Sequence, residues 1–145
     1  MSNEEVERLV SERAIERVPV DRAAAYRDLE AAAAHLVSVE AQAVHDPVGA
    51  FALAYEAMRK AVVAHMRAAG LRVRTRGGAH YQTGRYARAA LGGLGVDEQL
   101  RAFEDLRRLR NKSAYEAVPV EERDAREALA HARRVVEAVS GELGE

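Results

Sequence analysis

The chain has 145 residues, a formal net charge of −1 and no cysteine. A single domain of this size buries roughly two thirds of the surface it exposes when unfolded, so a genuine core is available. The near-neutral balance excludes a global positive field for nucleic acid or anionic membranes, and the lack of thiols excludes disulfide scaffolds, thiolate nucleophiles and cysteine-ligated metals.

Ala, Leu, Arg, Glu and Val dominate, Trp is absent and Phe occurs twice, so helix formers far outnumber strand formers. The first segment reads as a helix from about Asn3 to Arg17, with Glu4 and Glu5 where the helix dipole favours negative charge. Val6, Leu9, Val10 and Ile15 give it a thin apolar stripe. Val18-Pro19-Val20 interrupts it, because Pro19 disfavours α geometry at Val18 and donates no backbone hydrogen bond. Its acidic start and the lack of any apolar run near the ~18 residues of a spanning helix predict a cytoplasmic chain with no membrane partner.

A second helix is expected from Asp21 to about Val44, with Ala25, Leu29, Ala32, Leu36, Val39 and Ala43 along one seam. His45-Asp46-Pro47 stops and restarts the pattern: Asp46 caps the next helix and Pro47 occupies its first turn, where a missing N–H is harmless. That helix, to about Ala69, carries the broadest apolar face (Phe51, Ala54, Tyr55, Met58, Val62, His65, Met66) and is the expected centre of the core. Gly70 suits a left-handed helix end.

From Leu71 to Gly78 helical patterning fails, Arg72, Arg74 and Arg76 alternate, and the segment reads as a flexible loop. Weak helical patterning runs from Ala79 to Leu91. After Gly92-Gly93-Leu94-Gly95, Asp97 caps a helix with Leu100, Phe103, Leu106 and Leu109 inward. A last helix follows Val118-Pro119, holds Ala125, Leu129, Ala132, Val136 and Val139 on its inner side, and ends by Gly141. The expected fold is all-α, one helical bundle of about five helices, with residues 1–20 as a helical extension and 21–145 as the domain.

Glycine-rich phosphate loops, serine nucleophile elbows and paired helical histidines around a glutamate are missing. Five histidines (His35, His45, His65, His80 and His131) are scattered along the chain, so neither a metal nor a cofactor is expected. His35 and His131 read as solvated or capping, His65 as a core-edge residue. Glu56 has the placement to pair with an arginine across the bundle, though single helix-surface acids are commonly just solvated.

Positive charge gathers in two places, the stretch with Arg72, Arg74, Arg76, Arg85 and Arg88, and the stretch Arg101 to Lys112 with Arg107, Arg108 and Arg110. A planar guanidinium binds phosphate oxygens bidentately, and His80, Tyr81 and Tyr86 among these cations suit stacking of an unpaired base. The plain alternative is that the arginines solubilise a loop. At ~1.5 Å rise per helical residue, Arg110 and Tyr115 lie about 7.5 Å apart along the axis, within reach of one phosphodiester group. A helix end that offsets its dipole with basic residues, with Asn111 satisfying free carbonyls, explains the same residues without function.

The Ala-rich second helix, the segment Ala52-Leu53-Ala54-Tyr55-Glu56-Ala57-Met58-Arg59-Lys60-Ala61 followed by Gly70-Leu71-Arg72, and Arg110-Asn111-Lys112-Ser113-Ala114-Tyr115 before a final helix together resemble the HEPN superfamily of small prokaryotic helical domains. The resemblance covers the chain from about Asp21 onward. It implies a place in a toxin–antitoxin or defence system, a homodimer, and a nucleotidyltransferase or antitoxin partner.

In the family's ribonucleolytic members an arginine, usually followed by a polar residue, precedes a histidine by a few positions, and dimerisation brings two such pairs into one cleft. Arg110 and Asn111 match the first part, whereas Tyr115 stands where the histidine falls. Metal-free RNA cleavage needs a proton acceptor and a cation for the phosphorane charge, and a phenol with pKa near about 10 is a poor base at neutral pH. The expectation is therefore RNA or nucleotide binding through Arg110, Asn111 and Tyr115, helped by Arg72, Arg74, Arg76, Arg85, Arg107, Arg108 and Lys112, with weak or no nuclease activity. The rivals are a metal-independent endoribonuclease toxin, with Tyr115 or His80 moving the proton, and an interaction module that recruits a partner protein.

Overall fold

A computed structural model describes residues 3–74, 78–115 and 119–144, with the side chains of Asn3, His80, Arg107 and 110–115 outside that description. The element order is α1 (Asn3–Ser11), β1 (Ile15–Arg17), α2 (Arg22–Gln42), α3 (Pro47–Ala69), β2 (Leu71–Val73), α4 (Ala79–Leu91), α5 (Asp97–Tyr115) and α6 (Glu122–Leu143). Helices dominate, as composition implies, and a two-stranded ribbon joins them.

The aspartates before α2 and α3 set the helix starts as expected, whereas Asp97 lies inside the first turn of α5 and its Oδ1 accepts from the Gly93 N–H at 3.4 Å. Asp21 Oδ1 accepts from the Ala24 N–H at 3.0 Å, and Asp46 Oδ1 accepts from the Gly49 N–H at 3.0 Å, each satisfying a donor that the first helical turn leaves open. Gly70 closes α3 at φ 74°, a left-handed conformation that costs glycine little. Glu121 and Asp124 form a reciprocal capping box at the start of α6, which runs on to Leu143 rather than ending by Gly141.

Helix α3 is the centre. Phe51, Ala54, Tyr55, Met58, Val62 and Met66 are buried, and α2, α4, α5, α6 and β2 all pack on it. The α2 seam is buried at Ala25, Leu29, Ala32, Val39 and Ala43, with Leu36 at its edge, and its small side chains let α2 lie close along α3. At the other ends of these helices the Tyr26 hydroxyl and the Arg22 guanidinium both donate to the Leu143 carbonyl, at 2.8 and 2.9 Å, tying the start of α2 to the end of α6.

Two segments depart from expectation. The helix expected to reach Arg17 stops at Ser11, Arg13 turns the chain with φ 65°, and Ile15–Arg17 is a strand. It pairs antiparallel with Leu71–Val73, the start of the stretch expected to be a loop, in the register Ile15↔Val73, Glu16↔Arg72 and Arg17↔Leu71. Alternation explains the pairing: Ile15 and Leu71 are buried at 1% and 4% exposure, while Glu16 and Arg72 face outward and pair with each other.

Candidate nucleic-acid interface at the end of α5

Helix α5 is held by Leu100, Phe103 and Leu106, which are buried against α3, α4 and α6. Asp97 and Glu98 in its first turn and the basic residues late in its sequence both complement the helix dipole. Positions 110, 111 and 115 fall in its last turns, so the backbone brings the three candidate residues to one end of one helix. Their side chains, and those of Arg107 and Lys112, lie outside the described residues, as does Arg76.

Arg108 is 65% exposed and reaches Glu104 at 4.0 Å and Asp105 at 3.7 Å on its own helix. The Arg108–Asp105 pair is exposed on both sides and exchanges easily for another anion, since such a pair contributes little more than ~0.5 kcal/mol. Beside this stretch, a cleft of about 260 Å³ between α3, α5 and α6 is lined by Asp105, Asp124, Glu127 and His131 among others. Three carboxylates make that cleft unsuited to phosphate, so an anion would approach α5 from another side. His131 is half-buried on the cleft wall rather than simply solvated, a placement that only tertiary packing reveals.

The other arginine cluster is partly neutralised by the N-terminal segment. Arg72 Nε donates to Glu16 at 2.6 Å, and Arg85 donates to Glu12 at 3.0 Å and to Gln82 at 3.2 Å. Arg74 and Arg88 are exposed. Glu56 pairs with Arg59 on its own helix, its Oε1 accepting from Arg59 Nε at 3.0 Å. Lys60 Nζ lies 3.0 Å from His35 Nε2, and burial and the Lys60 charge both hold the His35 pKa low.

Of the aromatic residues among these cations, Tyr81 is 45% exposed and free to stack. Tyr86 is not: it is 1% exposed, and its hydroxyl shares a hydrogen bond of 2.8 Å with His65 Nδ1. Burial pushes the Tyr86 phenol up and holds the His65 pKa below its usual value, with Glu142 acting weakly in the opposite direction. Glu7, Arg17 and Glu142 line the same small cavity as this pair.

A pH dependence follows from that pair. An imidazole whose folded pKa lies below the unfolded value of 6.5 takes up its proton more readily in the unfolded chain, so stability is full above about pH 6.5 and declines as pH falls below it. Urea midpoints measured between neutral and mildly acid pH should fall, and His65→Gln should flatten that decline. An unchanged slope in the variant would assign the acid sensitivity elsewhere.

Among the described residues, no group of His, Asp or Glu is arranged to hold a metal ion, and no helix is long and apolar enough to cross a membrane. A family model described as HEPN domain matches residues 22–142, from the first residue of α2 to one residue short of the end of α6. The chain belongs to the HEPN family. No curated protein and no solved structure matches it.

Proposed function

We propose that this HEPN domain binds RNA or a nucleotide through the last turns of α5 and cleaves RNA weakly or not at all. In this reading the Arg110 guanidinium holds a phosphate, Asn111 hydrogen-bonds beside it, and the Tyr115 hydroxyl orients the same group. The observation that supports it is the conjunction of family membership over 22–142 with Arg110, Asn111 and Tyr115 at the end of one helix, without a histidine at 115. Arg72, Arg74, Arg76, Arg85, Arg107, Arg108 and Lys112 supply accessory cations, Arg72 and Arg85 through guanidinia that Glu16 and Glu12 already orient. Residues 1–20 form an extension to the domain, which acts as a homodimer in a cytoplasmic toxin–antitoxin or defence system beside an antitoxin or nucleotidyltransferase partner.

A second reading, a metal-independent endoribonuclease toxin, keeps Arg110 as the group that grips the phosphate and gives the proton transfer to Tyr115 or His80. Purified protein mixed with single-stranded RNA in EDTA separates the two. The binding reading predicts intact RNA and affinity that falls steeply with added salt, because neutralised phosphates release counterions. A flat salt response would contradict phosphate contact, and cleavage abolished by Arg110→Ala would replace the first reading with the second.

A further inference from the structure

A cationic cleft with no α5 residue in its lining opens elsewhere on the domain. Its walls are α1 and α4, its volume is about 340 Å³, and Arg8, Arg85 and Arg88 line it together with Glu5, Leu9 and Ala89. We infer that this cleft is a phosphate site in which the N-terminal helix and α4 each contribute guanidinium groups. The inference goes beyond the α5 reading and does not depend on it.

The charge arrangement carries the argument. Arg85 is fixed in place by Glu12 and Gln82, whereas neither Arg8 nor Arg88 forms an ion pair among the described residues. Three guanidinia and the Glu5 carboxylate therefore line one concavity, and even with Glu12 paired to Arg85 the cations exceed the carboxylates by one in a chain whose formal net charge is −1. Gathering like charges against an apolar floor of Leu9 and Ala89 is unfavourable for the protein alone and favourable once an anion sits between them. Planar guanidinium forks match tetrahedral phosphate oxygens, and the cleft is large enough for a mononucleotide. Helix α1 lies outside the matched family domain, so this site is built from an addition to the domain and from α4 within it.

The phosphate has two sources, a free nucleotide or an RNA backbone, and one titration separates them. Arginine Nε–H resonances of the full chain are followed by NMR during addition of inorganic phosphate, 5′-AMP, a single-stranded RNA or acetate at constant ionic strength. Saturable, concerted shifts of Arg8, Arg85 and Arg88 with the phosphate probes and not with acetate are expected. The double variant Arg8→Gln/Arg88→Gln should weaken binding by about ten-fold or more with its helical circular dichroism unchanged. Saturation by 5′-AMP but not RNA identifies a free nucleotide, and tighter binding of RNA identifies a phosphodiester; either supports the site. Equal shifts with acetate, affinity in the double variant within about two-fold of the parent, or disappearance of the shifts in Arg110→Ala would overturn it.

Discussion

Phe103→Ala should lower the stability of the fold by about 3–5 kcal/mol, the range for emptying a well-packed aromatic site. Its ring is fully buried and lies 5.2 Å from that of Tyr55, tilted at 52°, which joins α5 to the central helix α3. The third neighbour is α4: a Cβ added to Gly84 would stand 3.4 Å from Phe103 Cδ1, so the α4 backbone packs directly on the ring. Truncation leaves a void that three helices would have to move to fill, and close packing resists such movement. Thermal unfolding should show a fall in midpoint on the order of 10 °C or more. Val37→Ala, at a position 72% exposed, should stay within about 0.5 kcal/mol of the parent and serves as the control. A loss at Phe103 no larger than that of the control would mean that α5 is not anchored there.

This junction bears on function because α5 carries the candidate binding residues. Leu100, Phe103 and Leu106 anchor the first half of the helix, and the last turns continue from that anchored part. Rigid placement of a charged group lowers the entropy lost when it grips a ligand.

The core was legible because its signals are local and repeated. The α3 face from Phe51 to Met66 and the α2 seam from Ala25 to Ala43 recur at helical spacing, and their burial follows directly. Asp46-Pro47 and Gly70 marked helix ends through chemistry that acts within one turn. The ribbon was not legible, although Leu71-Arg72-Val73 does alternate in the manner of a strand. Three residues are too short a run to establish a period, and the partner Ile15–Arg17 lies more than fifty positions earlier in the chain, beyond the reach of any local window.

The candidate site divides in the same way. The resemblance to HEPN domains singled out Arg110, Asn111 and Tyr115, and the helix bounds bring those positions to one end of α5. Sequence could not show that Tyr86 turns inward to His65, because Arg85 and Arg88 stand close to it in the chain and its partner comes from α3. Nor could it show that Glu12 and Glu16 cross from the N-terminal segment to Arg85 and Arg72. Ion pairs between distant segments depend on tertiary placement, and a charge run alone does not say which of its members are already answered.

Arg110→Ala carries the second large expectation. If its guanidinium grips a phosphate, the variant loses a charge-assisted contact while keeping a side chain with high helix propensity, so folding should be preserved while binding falls. The most direct test is an anisotropy titration of labelled single-stranded RNA with parent and Arg110→Ala protein at two salt concentrations, with matched thermal midpoints as the check on folding. The account predicts an affinity loss of about ten-fold or more and a salt slope shallower by about 0.7, the share of one phosphate on a single strand. Equal affinity and equal slope in the two proteins would contradict it.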